Sequence, residues 1–544
     1  MSKVILITAT LGLVFAGSVW ASSPGDTVGT TYYDMQNEIS AGSRIVVDSE
    51  GGYHIVWMKA NAAYDNRAVY YNFIDESGSK QLGDGTSVSS TSGAGFPSVD
   101  VLSSGKAVVA YHNSNNNDVN FAKDGARGTG LFTLVDVPDT YPAHETAYWP
   151  KMAVDGNGRI HVLSTVNFGM TNWWTPFIYT YSTDNGSNWE DVALVDTLLM
   201  QSPHPVCSRT GGKTAFVYGR PRDIEADLDW YDADMYYIES ADGSTWDFSS
   251  RVNVTNYQND DTYRVWTDWD GMYDNDDNLH IIWSAIVYDY DTGNASTDSC
   301  VLFHWSSATG IDTVATALEV AYPSYWDLAI AKVNLGIDAN DNLFALWTRY
   351  SASDTSDDGY SNGDLYFAYS TDNGDSWSSA TNITDSQTPG CAAGDCDSDH
   401  WASMAEVVDE YLHIMYIHDT DAGAAAGSNE GDTTACQVLY YPQPNPIWVG
   451  IDEDEPIVDY ELRLRNYPNP FNNSTIFEFP MTREAELSIY NIRGELVFEA
   501  DASKKSSIAW DSENQGGKSL ASGVYFARFT TKDYALNRRI VMVK

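Results

Sequence analysis

The chain has 544 residues, of which 76 are acidic and 30 basic, for a formal net charge of −46; 43% are hydrophobic and 13% aromatic. This acidity excludes a general nucleic-acid binder, which needs a basic face for phosphates, and argues against docking on anionic lipid. The apolar fraction excludes a disordered acidic chain, and heavy use of Trp, Tyr and Gly (18, 35 and 41) without long apolar helical runs predicts an all-β extracellular protein.

The N-terminus carries one cation, Lys3, then an apolar run from Val4 to Val19 that ends at Val19-Trp20-Ala21. This pattern predicts a secretory signal over residues 1–21, cleaved after Ala21. No later segment reaches about 18 uninterrupted apolar residues, so no membrane span is expected after cleavage. Residues 461–544 hold 12 basic and 10 acidic residues, a net of +2, which leaves −48 for residues 1–460. The shift falls at the acidic, Pro-containing stretch Asp452-Glu-Asp-Glu-Pro456, and residues 450–460 are taken as a linker between two bodies.

A hairpin pattern recurs seven times in the larger body, from Ile45–Trp57 to Met404–Tyr416. Each copy is an alternating apolar strand, a Gly/Asn/Asp turn and a second apolar strand. The second strands align at His54, Val108, His161, Ala215, His280, Phe344 and His413, 53 to 69 residues apart. An aromatic third strand follows most copies, as in Val69–Phe73, and a weaker fourth follows several, as in Thr381–Ile383. Four antiparallel strands repeated radially make a propeller blade. The expected architecture is therefore a seven-bladed β-propeller over residues 30–448, followed by a small Ig-like β-sandwich over residues 461–544.

Ser182-Thr-Asp-Asn-Gly-Ser-Asn-Trp189 and Ser370-Thr-Asp-Asn-Gly-Asp-Ser-Trp377 share the pattern S-x-D-x-G-x-x-W, and Ser240 to Trp246 is a copy one residue shorter. These segments resemble the Asp-boxes (BNR repeats) of sialidase-like propellers. The resemblance implies a structural turn: Asp caps turn amides, Gly takes a positive φ and Trp packs between blades. The smaller body carries Tyr467-Pro-Asn-Pro-Phe471, Glu486–Val497, Trp510-Asp511, Leu520–Arg528 and a terminal Arg539–Lys544. Their order resembles the type IX secretion sorting domain of Gram-negative bacteria. That resemblance implies export to the cell surface or medium, with the secretion machinery as a partner through residues 461–544.

Five Cys remain after the signal. Cys391 and Cys396 enclose a short polar loop and predict a local disulfide in an oxidising compartment. Cys207 reads as a buried free thiol. No Cys/His spacing suggests zinc, and Asp274-Asn-Asp-Asp-Asn278 aligns with the other hairpin tips, so no metal and no cofactor are expected. The histidines recurring on the second strands read as packed structural residues.

In a propeller, residues just before the first strand and just after the second converge at one mouth. Candidates there are the aromatics Trp266, Trp326 and Trp401, the cations Arg220, Arg264 and Arg349, and His112 and His204. Aromatic faces stack on sugar rings and guanidinium forks bind carboxylates or sulfates. The leading expectation is a secreted glycan-binding or adhesive propeller without catalysis, its ligand lying over blades 4–7. Two enzymatic readings stand beside it: a sialidase-like glycoside hydrolase, whose Arg-Ile-Pro motif is absent here, and a polysaccharide lyase using His112 or His204 with Arg220.

Overall fold

The computed structural model describes residues 23–448 and 464–543, apart from 40–41, 90, 116–117, 139–146, 167–174, 223–230, 319, 321–327, 473, 480–484, 504, 506, 515 and 533–534. The expected signal (1–21), the whole linker (450–460) and Trp326 lie outside the described residues. The chain divides into two compact units, residues 1–450 and 451–544.

Among the described residues the larger unit holds seven four-stranded antiparallel sheets and one helix, the single turn Ala425–Ser428. The first sheet runs Ile45–Val47, Tyr53–Lys59, Ala68–Ile74 and Thr86–Ser87 in order. The first strands of the next six are Ala94–Val101, Ala147–Val154, His204–Cys207, Tyr263–Tyr273, Ile330–Ile337 and Ser398–Met404. Each first strand neighbours the next, and Ser398–Met404 returns to Ile45–Val47, so the sheets form a closed ring consistent with a propeller.

Ring closure departs from the expectation of four strands per repeat. The seventh sheet takes only three strands from its own repeat. Its outermost strand is Asp26–Thr31, paired with Cys436–Pro444 and beginning ahead of the expected start at residue 30. Joining the two ends of the unit in one sheet closes the ring. Gly29 permits this: a Cβ there would sit 2.2 Å from the buried Trp57 ring.

Adjacent sheets are tied by side chains that accept from the next first strand. Asp100 Oδ2 accepts from the Val154 N–H at 2.7 Å, Asp270 Oδ2 from Leu335 at 2.8 Å and Asn334 Oδ1 from Met404 at 3.2 Å. A second tie is local. His54 bonds Asp48 through Nε2 (3.1 Å) and the Tyr71 hydroxyl through Nδ1 (2.8 Å). His161 repeats this with Asp155 and Tyr179, and His413 with Asp409 and Tyr440. The Asp also caps its turn, Asp48 Oδ1 accepting from the Glu50 and Gly52 amides.

In the turn Ser182–Trp189, Asp184 Oδ1 accepts from the Ser187 and Asn188 amides, Gly186 has φ +75° and Trp189 meets Phe121 of the preceding sheet edge-on at 5.2 Å. Cys391 and Cys396 form a disulfide, and Cys207, Cys300 and Cys436 are buried free thiols. Burial pushes all three thiols up, so the native protein should resist thiol-reactive dyes at pH 8; rapid labelling of any of them would contradict this burial.

The smaller unit has two antiparallel sheets. One holds Arg465–Tyr467, Thr475–Glu478 and Ser507–Trp510; the other is ordered Leu496–Asp501, Ala485–Asn491, Gly523–Thr531, Ala535–Met542. Their core includes Phe477, Leu487, Ile489, Trp510, Ala527, Phe529 and Ile540.

Candidate functional site

In five sheets the first strand skips register at the same place, between Gly95 and Ser98, Tyr148 and Lys151, Val265 and Trp269, Ala331 and Asn334, and His400 and Ser403. At four of these bulges a non-glycine residue holds a positive φ: Phe96 (54°), Trp149 (50°), Lys332 (55°) and Trp401 (51°). Such backbone costs about 1–3 kcal/mol each and persists only where the surroundings enforce it. The bulge turns a polar residue inward just after it, namely Ser98, Lys151, Asp268, Asn334 or Ser403, and all five are buried.

The chain itself closes this end of the ring. After Asp26–Thr31, described residues 33–39 run inward and are buried throughout, although Asp34, Gln36, Asn37 and Glu38 are polar. The Gln36 side-chain amide takes the place of a strand, accepting from Met58 N–H at 2.7 Å and donating to Met58 O at 3.1 Å. Glu38 pairs with Lys151 Nζ at 2.7 Å and accepts from the Ser202 hydroxyl, while Asn37 accepts from Lys151 at 2.8 Å. Ile39 enters the core beside Met200, Trp266 and Leu328. Beneath this segment the first strands enclose a cavity of about 60 Å³, lined by Gly42, Asp100, His204, Arg209, Asp270 and Glu406 among others. It has room for a few waters and not for a sugar. The Arg209–Glu406 ion pair (2.6 Å) joins the fourth sheet to the seventh.

These contacts redistribute the residues expected at the mouth. Arg264 is 0% exposed, its guanidinium on Asp232 at 2.5 Å and on the carbonyls of Asp261, Tyr263 and Gln258. Arg220 holds Asp196 at 3.1 Å, and Arg349 lies over the Tyr366 ring at 5.4 Å. No shared carboxylate or common hydrogen bond brings these three together among the described residues. Trp266 is 7% exposed and stacks on Tyr231, and Trp401 is 2% exposed beneath Lys332 Nζ, 4.1 Å from its ring. Neither can serve as an open stacking wall. Long-range packing fills the space around the two tryptophans, and Asp232 with nearby carbonyls takes up the Arg264 fork. His204 is part of the channel wall, bonding Asp270 at 2.9 Å and accepting from Gly42 N–H at 3.2 Å.

His112 belongs instead to a strip across the first three sheets. Arg67 lies over the rings of Tyr33 and Phe96, 5.4 Å from each. Phe96 is 4.9 Å from His112 and 6.3 Å from Trp149, and Trp149 meets Tyr148 edge-on at 4.7 Å. Trp149, Tyr148 and Arg67 are half-buried and present edges to solvent. Arg67 donates to the carbonyls of Gly93 and Ala94 and to the hydroxyls of Tyr33 and Ser114. Among the described residues no carboxylate lies within ion-pair distance of it, in a body of net charge −48. Of this strip, only His112 was among the candidates singled out from the sequence; Arg67, which has no acidic partner among the described residues, had no local sign.

His112 accepts the Trp149 backbone N–H on Nδ1 at 3.3 Å, so its own proton resides on Nε2. Burial, then the nearby Arg67 and Lys151, push its pKa down to about 3. Its folded value lies below the ordinary 6.5, so the neutral ring is expected to persist from pH 8 down to about pH 4. An imidazole NMR titration checks this, and a midpoint above pH 5 would show that the ring is open to water. Among the described residues no group of three or more His, Cys, Asp or Glu is placed to hold a metal ion.

No curated protein matches the chain. Among solved structures, an ulvan lyase of polysaccharide lyase family PL25 is 10% identical, with a TM-score of 0.49 over 78% of this chain and 96% of that one. PorZ, a surface component of the type IX secretion system of Porphyromonas gingivalis, is 11% identical with a TM-score of 0.41, over 94% of this chain and 60% of that one. An α-L-arabinofuranosidase of Fusarium graminearum is 13% identical with a TM-score of 0.39, over 64% of this chain and 93% of that one. Residues 465–544 match the family described as "Secretion system C-terminal sorting domain". No helix among the described residues is long and apolar enough to cross a membrane. The chain therefore ends in a type IX sorting domain that directs it to the cell surface or the extracellular space.

Proposed function

We propose that this is an exported, glycan-binding propeller that carries out no catalysis. In this reading residues 1–21 are its cleaved signal, the seven sheets are seven blades of a sialidase-like propeller, residues 450–460 are a linker and residues 461–544 form an Ig-like sandwich. Its ligand lies over the first three sheets, on the half-buried Trp149, Tyr148 and Arg67, with the buried Phe96 and His112 packed against them, and not over the fourth to seventh, where Arg264, Trp266 and Trp401 are buried. The observation that carries the reading is the half-exposed Trp149–Tyr148 pair, joined through Phe96 to a guanidinium that has no acidic partner among the described residues. Ring faces stack on sugars, and a guanidinium held by carbonyls and hydroxyls keeps its positive charge to attract a ligand carboxylate. Binding is favoured over proton abstraction because His112 carries its proton on Nε2 and is held neutral, which makes it a donor.

The test is a glycan-array screen of the purified protein with Trp149→Ala, Arg67→Ala and Arg349→Ala beside it. The first two are expected to weaken binding by about tenfold or more, as for loss of a buried aromatic or charged anchor, and Arg349→Ala to leave it unchanged. Binding to no glycan, or binding indifferent to Trp149 and Arg67, would overturn this site. Release of ultraviolet-absorbing unsaturated uronates would show a lyase instead.

A further inference from the structure

The sorting domain has an outer sheet face whose two ends differ. Strand register places Leu496 opposite Tyr490, Tyr490 opposite Phe526 and Phe526 opposite Arg539, in one row across all four strands. Val524 and Val541 form the next row toward the same end. Two residues on, along the same face, the row is Glu499, Ser488 and Arg528, and beyond it Asp501, Glu486 and Thr530. The inward residues Leu487, Ile489, Ala527 and Phe529 are buried in the domain core, so the outer row is not needed to close it. Yet Leu496 is 47% and Phe526 45% exposed, and Ile492, in the adjoining turn, is 74% exposed.

Hydrophobic side chains stay exposed singly on most surfaces, but a contiguous apolar row on a sheet face marks an interaction site. The rim of this one is mainly basic, its acidic exception being Glu495 beside Leu496, which accepts from the Asn491 side-chain amide at 2.7 Å. Arg539 ends the row, Arg493 stands in the turn beside Ile492, and Arg528 lies one row away; all are exposed. Among the described residues none of the three has a carboxylate within ion-pair distance, whereas acidic Glu486 and Glu499 collect at the far end of the face.

We infer that Leu496, Tyr490 and Phe526, rimmed by Arg493 and Arg539, are the surface by which the sorting domain is recognised, and that its occupant is a component of the secretion machinery with an apolar patch bordered by acidic side chains. The domain must be read by that machinery, and this is the face on which apolar exposure and unpaired charge coincide. Aromatic and Arg side chains are the residue types that anchor protein interfaces. The rim sets orientation and encounter rate against an acidic border.

The experiment uses the full chain in a type IX-competent host. The fraction reaching the surface or medium is measured against that left in the periplasm. Leu496→Asp and Phe526→Asp are expected to lower export by about tenfold or more, as hot-spot losses do, and Arg539→Glu to lower it while Arg539→Lys keeps it. Thr530→Asp and Glu486→Gln, on the acidic end of the same face, are expected to export normally. Each variant is also purified and its melting compared, and Phe526→Ser serves if an Asp variant does not fold. A photo-crosslinking residue at position 526 should capture an envelope protein that one at 530 does not. Normal export of folded Leu496→Asp and Phe526→Asp would overturn the inference. So would variants that turn a dimer of this chain into a monomer without changing export, which would make the face a contact between copies.

Discussion

Replacing Lys151 with Met is expected to cost about 3–5 kcal/mol of stability, the range for removing one partner of a buried ion pair. Lys151 and Glu38 are both buried, 2.7 Å apart and 113 positions apart in sequence. Burial pushes the Lys151 pKa down, while the Glu38 carboxylate raises it and holds the ammonium charged. Without Lys151 the Glu38 carboxylate keeps the Ser202 hydroxyl but no cation. That loss is a large share of the 5–15 kcal/mol typical of a folded domain. The ion pair anchors the inner end of the segment, which Gln36 on Met58 and Asp34 on the Ala425 and Ala426 amides also hold, so protease sensitivity should rise around Glu38 in the variant. Adding Glu38→Gln should restore most of the loss, because a neutral pair leaves no charge uncompensated. Urea denaturation of the three variants measures this. A loss under about 1 kcal/mol for Lys151→Met would mean that water reaches Glu38.

Trp57→Ala is expected to lower stability by about 3–5 kcal/mol, the cost of emptying a large core site. Trp57 is fully buried, and its ring fills the space between Gly29 of the closing strand and Gly85, where added Cβ atoms would stand 2.2 and 2.3 Å from it. The ring is thus the body on which the N-terminal strand seats. Gly29→Val alone should cost about 1–3 kcal/mol by overpacking. In the Trp57→Ala background the same substitution meets a cavity and should cost much less. A double-mutant cycle by thermal unfolding checks the coupling; additive losses would show that Gly29 and Trp57 do not share this space.

Much of the larger unit was legible because its signals are local. The turn Asp and the second-strand His lie six residues apart in Asp48–His54, Asp155–His161 and Asp274–His280, and their bonds form within one hairpin. Hairpin register follows from turn chemistry and alternation, which short segments carry in full. The sorting domain was legible for a related reason: its turns and strands follow in a fixed order over 80 residues.

Two features were decided only in three dimensions. The first is the closing strand and the segment after it. Asp26–Thr31 has no hairpin partner nearby in sequence, since its ladder partner is Cys436–Pro444, and Asp34, Gln36, Asn37 and Glu38 read as a solvated loop until Met58, Lys151 and Ser202 close around them. The second is which mouth residues remain open. Trp149, Trp266 and Trp401 stand at the same bulge of their first strands, yet Trp149 keeps an exposed edge while Tyr231 covers Trp266 and Lys332 covers Trp401. Charge compensation divides likewise, since Asp232 neutralises Arg264 whereas carbonyls and hydroxyls hold Arg67. Sequence alone therefore determined the repeat, the turns and the sorting domain, whose contacts are near in the chain. Packing between distant segments decided burial and charge compensation, and with them where a ligand can bind, because both depend on neighbours that no local pattern specifies.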